Sequence, residues 1–506
     1  MNKAMQYLQA MSQPDRQSFS SLGYDFAGAD SHIQHICDDS RAIQQGDTFL
    51  CLPRTAEQDQ AYIQHAIAAG ASNIIYIGED YKNSPIPCLS LPHMDAAGIF
   101  LRRYFQTLET KTQCIGITGT DGKTSVTWIL REALAKRYGK AWSSGTLGWI
   151  EDRNHIHDLG NTTPSMLTLH RLLSAAGKQG IPSLVMEVSS HGIEQQRIAG
   201  LHFNVGLWTT LGHDHLQDHG GFDAYAALKE RFINTAGHQG ATVIYNHDQP
   251  NIHERLKHAK FKTRTYGHGL YQQHQKKSMV AWEQELPGLL RLTKKGEEVV
   301  IDDIPVGRFH AENITAVAQV LHSHFKINLQ ESADLLSGAT APPGRMEAVE
   351  AGHWQVFIDY AHTAEALQAC LESIRPLTRG RLLLVFGCGG ERDREKRPEM
   401  GRVASEYSDV LWITSDNPRS EKPEVIASEI EGGIAHPYTL EVHLQLDRKK
   451  AIGTAISTMA HNDTLIIAGK GHESYMDVQG QQLPWSDMAC ARHFLEQKNM
   501  EQVSCA

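Results

Sequence analysis

The chain has 506 residues, of which 41% are hydrophobic and 21% charged, and its formal net charge is −10. At roughly 100–200 residues per domain, this length predicts about three to four domains and excludes a single small module. The composition excludes disordered and collagen-like chains, and the negative charge argues against a general binder of nucleic acid or anionic membranes. Anionic ligands must therefore be met by local clusters of positive charge.

The eight cysteines are scattered along the chain and form no Cys-x-x-Cys pair. This spacing argues against zinc fingers and disulfide scaffolds and is typical of reduced thiols. The first residues, MNKAMQYLQAMSQPD, contain no apolar signal region. Apolar runs such as 382–386 are far shorter than the ~20 residues that span a bilayer. We therefore expect a cytoplasmic, unprocessed protein with no membrane partner.

Strand-like runs and a proline pair divide the chain into three blocks, which predict domains at 1–110, 111–341 and 342–506. In the middle block, residues 261–310 have the pattern of short antiparallel strands with Gly and Pro turns. The last block repeats a strand and a polar loop four times. Strands separated by helical stretches predict βαβ units, and hence an α/β fold with a central parallel sheet and a Rossmann-like C-terminal domain. Ligands then bind outside the carboxyl ends of the strands.

A glycine-rich loop, GITGTDGKT at 116–124, follows an apolar strand and precedes the helical run SVTWILREALAKR. Backbone N–H groups of such a loop can cradle phosphate oxygens, Lys123 can reach the β- and γ-phosphates, and the Thr124 hydroxyl suits Mg²⁺. The strict GxxxxGK[ST] spacing is missed by one residue, because the first glycine is Gly116. The loop leaves a kinase, a GTPase and an ATP-dependent ligase open. Residues predicted to bind ATP are Gly119, Thr120, Asp121, Gly122, Lys123, Thr124 and Ser125.

The loop TGTDGKTS resembles TGTNGKT of the Mur ligase and folylpolyglutamate synthetase superfamily, with Asp121 where Asn is usual. Nine further motifs resemble that superfamily in order and spacing: NTTP (161–164), MEVSSHGIEQQR (186–197), DHLQDHG (214–220), GRFHAEN (307–313), PPGRME (342–347), DYAHT (359–363), GCGGERDREKRPEMG (387–401), TSDNPRSEKP (414–423) and GKGHESY (469–475). Together they resemble the tripeptide-forming, meso-diaminopimelate-adding members of the Mur ligase family.

This resemblance implies an ATP-dependent ligase of peptidoglycan precursor synthesis, and hence of cell-wall growth, cell shape and division. It would join meso-diaminopimelate to UDP-N-acetylmuramoyl-L-alanyl-D-glutamate through an acyl phosphate and release ADP and phosphate. The first block would bind the UDP-sugar, the second ATP and the third the amino acid. We expect a monomer.

The resemblance also implies Mg²⁺ at Thr124 and Glu187, with His215 completing a second magnesium site. The cluster HDHLQDH (213–219) leaves zinc binding and structural hydrogen bonding open as alternatives. Lys229 matches the family's lysine that CO₂ converts to a carbamate able to ligate Mg²⁺. The alternative for Lys229 is an ordinary exposed lysine on a helix.

Contacts to the acceptor nucleotide are implied in the first two blocks. Ser40 of DDSR matches a uridine contact, although an Asx turn explains DDSR equally well, and RTAEQDQAY replaces the family's glycine-rich stretch with its DGH. For Arg197 an ordinary ion pair is the alternative to binding a substrate carboxylate. The implied contacts to the peptide and muramoyl portion are Asn161, Thr162, Thr163, Ser189, Gln195 and Arg197.

Three further residues are expected near ATP. The Asn313 amide can recognise adenine, with helix capping as its alternative. Arg345 of PPGRME and His362 of DYAHT are expected beside the phosphates, on the third block.

The amino-acid site is predicted in the third block around DNPR (416–419), which resembles the signature of the meso-diaminopimelate-adding type. Arg392 and Arg419 can each hold a carboxylate, whereas Asp416 and Glu473 suit an ammonium group. Lysine or a close analogue is the alternative amino acid, and an N-cap turn with an ordinary salt bridge is the alternative for DNPR. The remaining predicted residues of this site are Asn417, Pro418 and Gly469.

Two rival functions stay open. The nearest is a folylpolyglutamate synthetase or another Mur ligase, which shares the ATP chemistry but not DNPR, GCGGERD and GKGHE together. The second is a catalytically silent or specialised-pathway homologue that binds UDP-sugars without making a wall precursor.

Overall fold

The computed structural model describes residues 3–15, 17–24, 32–79, 81, 84–108, 110–212, 219–269, 280–286, 288–350, 354–435 and 440–505. These residues form two compact units. The first contains the described residues of Met1–Gly119, Leu130–Leu211 and His215–Thr265, and the second those of Thr120–Ile129, Gly212–Asp214 and Tyr266–Ala506. The domain boundaries drawn from the sequence stay predictions.

The N-terminal part of the first unit is built on a small parallel sheet. Its elements are α1 (Lys3–Ser12), β1 (Gln17–Ser18), β2 (His32–Ile33), β3 (Ile36–Cys37), β4 (Thr48–Cys51), α2 (Ala56–Ala68), β5 (Asn73–Ile77), β6 (Cys88–Leu91) and α3 (Met94–Tyr104). The order β3-β4-β5-β6 is parallel throughout. Helix α2 begins with a capping box, because Thr55 and Gln58 each bond the other's backbone N–H. The RTAEQDQAY stretch therefore starts a helix.

The elements of the middle of the chain follow in order. They are β7 (Gln113–Thr118), α4 (Lys123–Tyr138), β8 (Trp142–Gly145), β9 (Gly148–Asp152), β10 (His155–His157), α5 (Met166–Lys178), β11 (Ser183–Glu187), α6 (Ser190–Glu194), β12 (Val205–Trp208), α7 (Phe222–His238), β13 (Thr242–Asn246), α8 (Pro250–Leu256), β14 (Thr263–His268), β15 (Val280–Leu286), β16 (Leu289–Lys294), β17 (Glu297–Ile301), α9 (Arg308–Ser323) and α10 (Leu329–Leu336).

In the first unit, strands are ordered β10-β9-β8-β11-β7-β12-β13-β14, and the run from β8 to β13 is parallel. Strands β7, β11 and β12 are almost wholly buried, as expected for parallel strands covered on both faces. In the second unit the end of β14 pairs with β15, and β15-β16-β17 are antiparallel. The antiparallel pairing predicted within 261–310 is therefore confirmed for β15 to β17, whereas β14 pairs with β15 in parallel.

The C-terminal part of the second unit has its own sheet. Its elements are β18 (Glu347–Ala348), β19 (Gln355–Asp359), α11 (Ala364–Ile374), β20 (Leu382–Phe386), α12 (Lys396–Tyr407), β21 (Val410–Ile413), α13 (Pro423–Glu431), β22 (Glu441–Leu444), α14 (Arg448–Thr458), β23 (Thr464–Ala468), β24 (Tyr475–Val478), β25 (Gln481–Pro484) and α15 (Asp487–Cys505). The order is β18-β19-β23-β20-β21-β22, parallel except for β18. The predicted α/β class is confirmed.

Gly116, the first glycine of GITGTDGKT, lies inside β7 and not in the loop that follows it. A Cβ there would lie 2.5 Å from the Phe232 ring and 2.8 Å from the Phe203 ring. This glycine lets two aromatic rings pack directly on the strand, so its place in the structure is one of strand packing. Within the part of the chain that the structure describes, no helix is both long and apolar enough to cross a membrane.

A buried ion pair ties α14 and α15 to the strand ends of the C-terminal sheet. The Arg448 guanidinium donates to both carboxylate oxygens of Asp487 at 2.7 and 2.6 Å, and both side chains are fully buried. It also donates to the backbone oxygens of Ser415, after β21, and Ala468, at the end of β23. One side chain thus binds the backbone at the carboxyl ends of both β21 and β23.

We expect Arg448→Met to lower the free energy of unfolding by roughly 3–5 kcal/mol, because it leaves the Asp487 carboxylate buried without its cation. Urea unfolding followed by tryptophan fluorescence measures the change. Arg402→Met is the matched control, since Arg402 pairs with Glu399 and Glu406 at the surface and such pairs are worth at most about 1 kcal/mol. Equal losses in the two variants would contradict the structural role of the buried pair.

Candidate functional site

The phosphate loop is a tight turn between β7 and α4. Gly119 and Gly122 have φ angles of +152° and +83°, so only glycine adopts this backbone readily. Helix α4 begins at Lys123, whose ammonium donates to the Thr120 backbone oxygen at 2.7 Å. The helix N-terminus and the glycine-rich turn provide backbone N–H groups and positive potential for a phosphate.

A second segment supports the loop. The backbone N–H of Gly212 donates to the Thr120 hydroxyl oxygen at 2.9 Å. Thr124 and Ser125, in the first turn of α4, are buried, whereas Asp121 is exposed. The predicted ATP residues therefore lie together on this turn, and their roles stay predictions.

Glu187 ends β11 as a buried carboxylate held by its neighbours. It accepts hydrogen bonds from the Thr146 backbone N–H at 2.9 Å and the Thr146 hydroxyl at 3.2 Å. A Cβ at Gly145 would lie 2.1 Å from Glu187 Oε1, so the carboxylate occupies space that only a glycine leaves open. Mg²⁺ takes hard oxygen ligands, and the Glu187 carboxylate and the Thr124 hydroxyl are each of that kind, so each residue taken by itself suits the ion and its role stays a prediction.

Lys229 lies on α7 with its side chain 1% exposed. Its ammonium donates to the Gly119 backbone oxygen at 2.9 Å and lies 4.3 Å from the centre of the Tyr225 ring. An ordinary exposed helical lysine does not fit this placement. Carbamate formation at Lys229 stays a prediction.

The cluster 213–219 is described only in part. His215 and the rest of 213–218 lie outside the described residues, so the second magnesium site and its zinc alternative stay untested. His219 is buried, with Nε2 3.0 Å from the Ser190 hydroxyl and Nδ1 3.3 Å from a Glu194 carboxylate oxygen. Among the described residues, no group of three or more His, Cys, Asp or Glu side chains forms a metal site.

The predicted acceptor residues of the middle block converge beside Glu187. Thr163 is buried and donates to the Glu187 backbone oxygen at 3.0 Å, and its hydroxyl lies 3.1 Å from that of Ser189. Arg197 donates to the Thr163 backbone oxygen at 2.6 Å and to the Gln195 amide oxygen at 3.0 and 2.7 Å. These partners of Arg197 are neutral, and burial lowers its pKa.

Thr162 joins the same network through Thr146. The Thr162 hydroxyl is 3.1 Å from the Thr146 hydroxyl, which itself contacts Glu187. Asn161 and Gln195 are exposed. The structure thus joins Thr162, Thr163, Ser189 and Arg197 through hydrogen bonds around one carboxylate.

Ser40 is buried on a short 3₁₀ turn, Ser40–Ala42. Asp39 caps this turn by accepting from the Arg41 backbone N–H at 3.0 Å, as the Asx-turn alternative expected. The Ser40 hydroxyl faces His65 Nδ1 at 3.1 Å. His65 lies on α2, and sequence reasoning missed it because no motif surrounds it.

Arg345, Asp359 and His362 lie in the C-terminal part of the second unit. Asp359 accepts from the backbone N–H groups of Met346 at 2.7 Å and Ala361 at 2.8 Å, and burial raises its pKa while Arg345 opposes the rise. The Arg345 guanidinium lies 4.5 Å over the Tyr360 ring, and His362 Nδ1 is 2.9 Å from the Tyr360 backbone oxygen. The linker and DYAHT therefore form one contact network.

Asn313 does not cap a helix. Helix α9 begins at Arg308 with Gly307 as its N-cap, which places Asn313 in the second turn as a buried side chain. The capping alternative for Asn313 is therefore wrong, and adenine recognition stays a prediction.

The predicted amino-acid residues gather at the carboxyl ends of β21 and β23. Asp416 and Asn417 are buried, and the Asn417 amide nitrogen donates to Glu473 Oε2 at 2.8 Å. A Cβ at Gly469 would lie 2.6 Å from Asp416 Oδ2. Burial raises the pKa of Asp416, opposed first by Lys470. Lys470 itself was missed from the sequence.

Two arginines border this cluster at Gly389. A Cβ there would lie 3.1 Å from Arg419 Nη1 and 3.7 Å from Arg392 Cγ. Arg419 has a left-handed backbone (φ +52°), donates to the Gly390 backbone oxygen and lies 3.9 Å from an Asp477 carboxylate oxygen. Helix α13 begins at Pro423 with Lys422 as its N-cap, so DNPR is not a helix cap. Pro418, the remaining residue of DNPR, is buried.

A parallel strand, a glycine turn and a helix that begins at the lysine of GKT define a phosphate-binding α/β protein of the phosphate-loop class. Residues 117–321 match the Mur ligase middle domain, and 344–471 match the Mur ligase, glutamate ligase domain. The UDP-N-acetylmuramoyl-L-alanyl-D-glutamate--2,6-diaminopimelate ligase of Coxiella burnetii is 34% identical over 481 residues, which cover 92% of this chain and 96% of that relative. The chain therefore belongs to the Mur ligase family.

Solved structures agree with this assignment. A structure of UDP-N-acetylmuramoyl-L-alanyl-D-glutamate--2,6-diaminopimelate ligase has a TM-score of 0.69 and 27% identity, covering 96% of this chain and 99% of that one. The MurF ligase of Thermotoga maritima in complex with ADP has a TM-score of 0.61 at 16% identity, covers 92% of this chain and 98% of that one, and shares the fold. The predicted family is confirmed.

We expect Gly145→Ala to lower ligase turnover by about 100-fold while the protein stays folded, because the new Cβ displaces the Glu187 carboxylate. Phosphate release measured against Mg²⁺ concentration checks this, and the Mg²⁺ needed for half-maximal rate should rise. Gly432→Ala is the control, since a Cβ there meets nothing closer than 3.5 Å. An unchanged Mg²⁺ requirement in Gly145→Ala would argue against a metal role for Glu187.

Proposed function

We propose that the chain is an ATP-dependent ligase that joins meso-diaminopimelate to UDP-N-acetylmuramoyl-L-alanyl-D-glutamate. The observation that carries the proposal is the third-block cluster, in which Asp416 and Glu473 lie beside Asn417 and two arginines border Gly389. Carboxylates suit an ammonium group and arginines suit a carboxylate, and a diamino dicarboxylic acid offers both. The Coxiella burnetii relative, of which 96% is covered by the alignment with this chain, carries the name of this activity.

The reaction would proceed in two steps. A carboxylate oxygen of the acceptor attacks the γ-phosphorus of ATP, ADP leaves, and an acyl phosphate forms. The amine of the amino acid then attacks the acyl carbon, phosphate leaves, and the amine loses a proton. Both steps concentrate negative charge, so positioned cations and N–H donors would contribute most to catalysis.

The first step would take place at the phosphate loop. Backbone N–H groups of 119–125 would bind the phosphates, and Lys123 would exchange its bond to the Thr120 backbone oxygen for a phosphate oxygen. Thr124 and Glu187 would hold Mg²⁺, which when bound neutralises phosphate charge. Arg345 and His362 would act on the phosphates from the third block, and Asn313 would recognise adenine.

The acceptor would lie along the network around Glu187. Asn161, Thr162, Thr163, Ser189, Gln195 and Arg197 would contact its peptide and muramoyl portion. Ser40, whose hydroxyl lies 3.1 Å from His65 Nδ1, would contact uridine. Because ATP and the UDP-precursor are cytoplasmic metabolites, we also propose that the enzyme is cytoplasmic. We further propose that it is a monomer and that it serves cell-wall growth and division.

A direct assay tests the proposal. Purified protein is incubated with Mg²⁺, ATP and UDP-N-acetylmuramoyl-L-alanyl-D-glutamate, and phosphate release is measured with meso-diaminopimelate, lysine or glutamate. Release only with meso-diaminopimelate, with a product of the expected mass, is the predicted result. Release with lysine alone, or with a folate acceptor and glutamate, would assign a rival activity, and no release with any amino acid would indicate a silent homologue.

We expect Arg419→Ala to raise the KM for meso-diaminopimelate by roughly 10- to 100-fold, since it removes a charged contact to the distal carboxylate. The KM for ATP should change less than about twofold. Arg402→Ala on α12 is the control, because that arginine is at the surface and pairs with Glu399 and Glu406. An equal loss for both substrates in Arg419→Ala would contradict the assigned role.

We expect the buried Lys229 to carry a carbamate in bicarbonate buffer. An ammonium is a cation and cannot bind Mg²⁺, whereas the carbamate that forms when the amine loses a proton and reacts with CO₂ is an anion that can. Native mass spectrometry should detect one added CO₂, and turnover should fall in CO₂-depleted buffer and recover with bicarbonate. Lys257→Met, at an exposed lysine, should keep both properties, whereas Lys229→Met should lose both. CO₂-independent turnover of the wild type would contradict the carbamate.

A further inference from the structure

Lys470 follows β23 and is completely buried. Its ammonium donates to Asn417 Oδ1 at 2.9 Å and to Glu473 Oε2 at 2.8 Å, and lies 3.7 Å from Asp416 Oδ1. We propose that Lys470 is a positioning residue that orients Asn417 and Glu473 and sets the charge of the amino-acid site for one substrate ammonium. This inference rests on the proposed function of that site.

Lys470 fixes the orientation of the Asn417 amide. Asn417 Oδ1 accepts from Lys470 and from the Asp477 backbone N–H at 2.9 Å, so the amide nitrogen must point the other way. There it donates to Glu473 Oε2 at 2.8 Å. Three side chains, Lys470, Asn417 and Glu473, therefore close a triangle of hydrogen bonds.

The same triangle leaves one carboxylate oxygen for a ligand. Glu473 Oε2 accepts from both Lys470 and Asn417, whereas Glu473 Oε1 has no hydrogen-bond partner among the described residues. Glu473 is half-buried, so a substrate ammonium can reach it. Lys470 has no exposed surface and cannot touch the substrate, which is why it is a positioning residue and not a catalytic one.

The charges around the triangle do not balance. Among the five charged groups in or next to the triangle, Asp416, Glu473 and Asp487 supply three negative charges and Lys470 and Arg448 two positive charges, so 3 − 2 leaves one carboxylate in excess. Arg345 faces the same cluster through Tyr360 and His472, and His472 is neutral because burial lowers its pKa to about 4. Arg419 and Asp477, at the edge, lie close enough to offset each other. Burial makes an uncompensated charge costly, and a substrate ammonium would compensate it.

The neighbouring groups also define what loss of Lys470 would do. The Lys470 ammonium lies 5.8 Å from the centre of the Tyr475 ring. Burial raises the pKa of Tyr360, the charges of Glu473 and Asp416 add to the rise, and the charge of Arg345 opposes it. With Lys470 replaced by methionine, two carboxylates would be in excess and would retain protons to higher pH. Protonated carboxyls bind an ammonium poorly, so amino-acid binding would improve as the pH rises.

The test compares Lys470→Met with the double variant Lys470→Met/Glu473→Gln and with Lys450→Met, which removes an exposed lysine on α14. KM values for amino acid and for ATP are measured from pH 6 to 9 by phosphate release. For Lys470→Met we expect a KM for the amino acid raised at least about tenfold at neutral pH and falling as pH rises, with the KM for ATP within about twofold of wild type. Lys450→Met should match the wild type.

The double variant separates charge from folding. It removes one cation and one carboxylate, so one carboxylate is again in excess, as in the wild type. Its KM for the amino acid should therefore lose the pH dependence that Lys470→Met adds, although this KM stays above that of the wild type. If Lys470→Met fails to fold, the double variant can still be compared with the wild type. Its methionine and glutamine replace the Lys470–Glu473 ion pair by neutral side chains, so no carboxylate is left buried without its cation there. A pH-independent rise in Lys470→Met, or equal rises for amino acid and ATP, would overturn the proposal.

The wild-type enzyme separates this inference from the proposed function. Turnover of the wild type with meso-diaminopimelate addresses the function. The ratio of variant to wild-type KM, for whichever amino acid the wild type accepts, addresses Lys470. If the wild type uses lysine, the proposed substrate meso-diaminopimelate is wrong. The ratio of the variant KM to the wild-type KM for lysine then still decides whether Lys470 is a positioning residue.

Discussion

The placement of the charged groups at the strand ends depends on one constraint, the burial of parallel strands on both faces. Strands such as β7, β11, β20 and β23 have almost no exposed residues, so a charged side chain within them would lose its hydration without compensation. Charge can therefore begin only where a strand ends. Glu187 ends β11, and Lys470 follows β23 by two residues, so the two parts of the proposed chemistry occupy equivalent places in two different sheets.

Glycines at these strand ends allow carboxylates to lie against backbone. Gly145 leaves room for the Glu187 carboxylate, and Gly469 leaves room for that of Asp416. In each case a Cβ would lie under 3 Å from a carboxylate oxygen, which is inside van der Waals contact. The position of each acid is thus fixed by the main chain at the end of another strand as well as by its hydrogen-bond donors, and this reduces the reorganisation that ligand binding would require.

Local patterns in the sequence were enough to predict the parallel strands, the antiparallel segment and the glycine turn, because each depends on apolar runs and turn residues that are adjacent in the chain. Lys470 and His65 could not be found in the same way. Lys470 contacts Asn417, which is 53 residues away in the chain, and His65 contacts Ser40, which is 25 residues away. No local sequence pattern indicates contacts between residues so far apart. The helix-capping alternative for Asn313 failed because helix α9 begins at Arg308, five residues before Asn313.

The loop of Lys470 also supports the linker that carries Arg345. A Cβ at Gly344 would lie 2.1 Å from the His472 backbone nitrogen, so the linker packs directly on this loop. Met346, beyond Arg345, is held by the Asp359 carboxylate. Burial, followed by the Arg345 charge, lowers the pKa of His472 to about 4, so its ring stays neutral at physiological pH and adds no repulsion beside that guanidinium. Arg345 is therefore fixed on both sides, and the loop that orients the amino-acid residues also fixes a residue proposed to act on ATP.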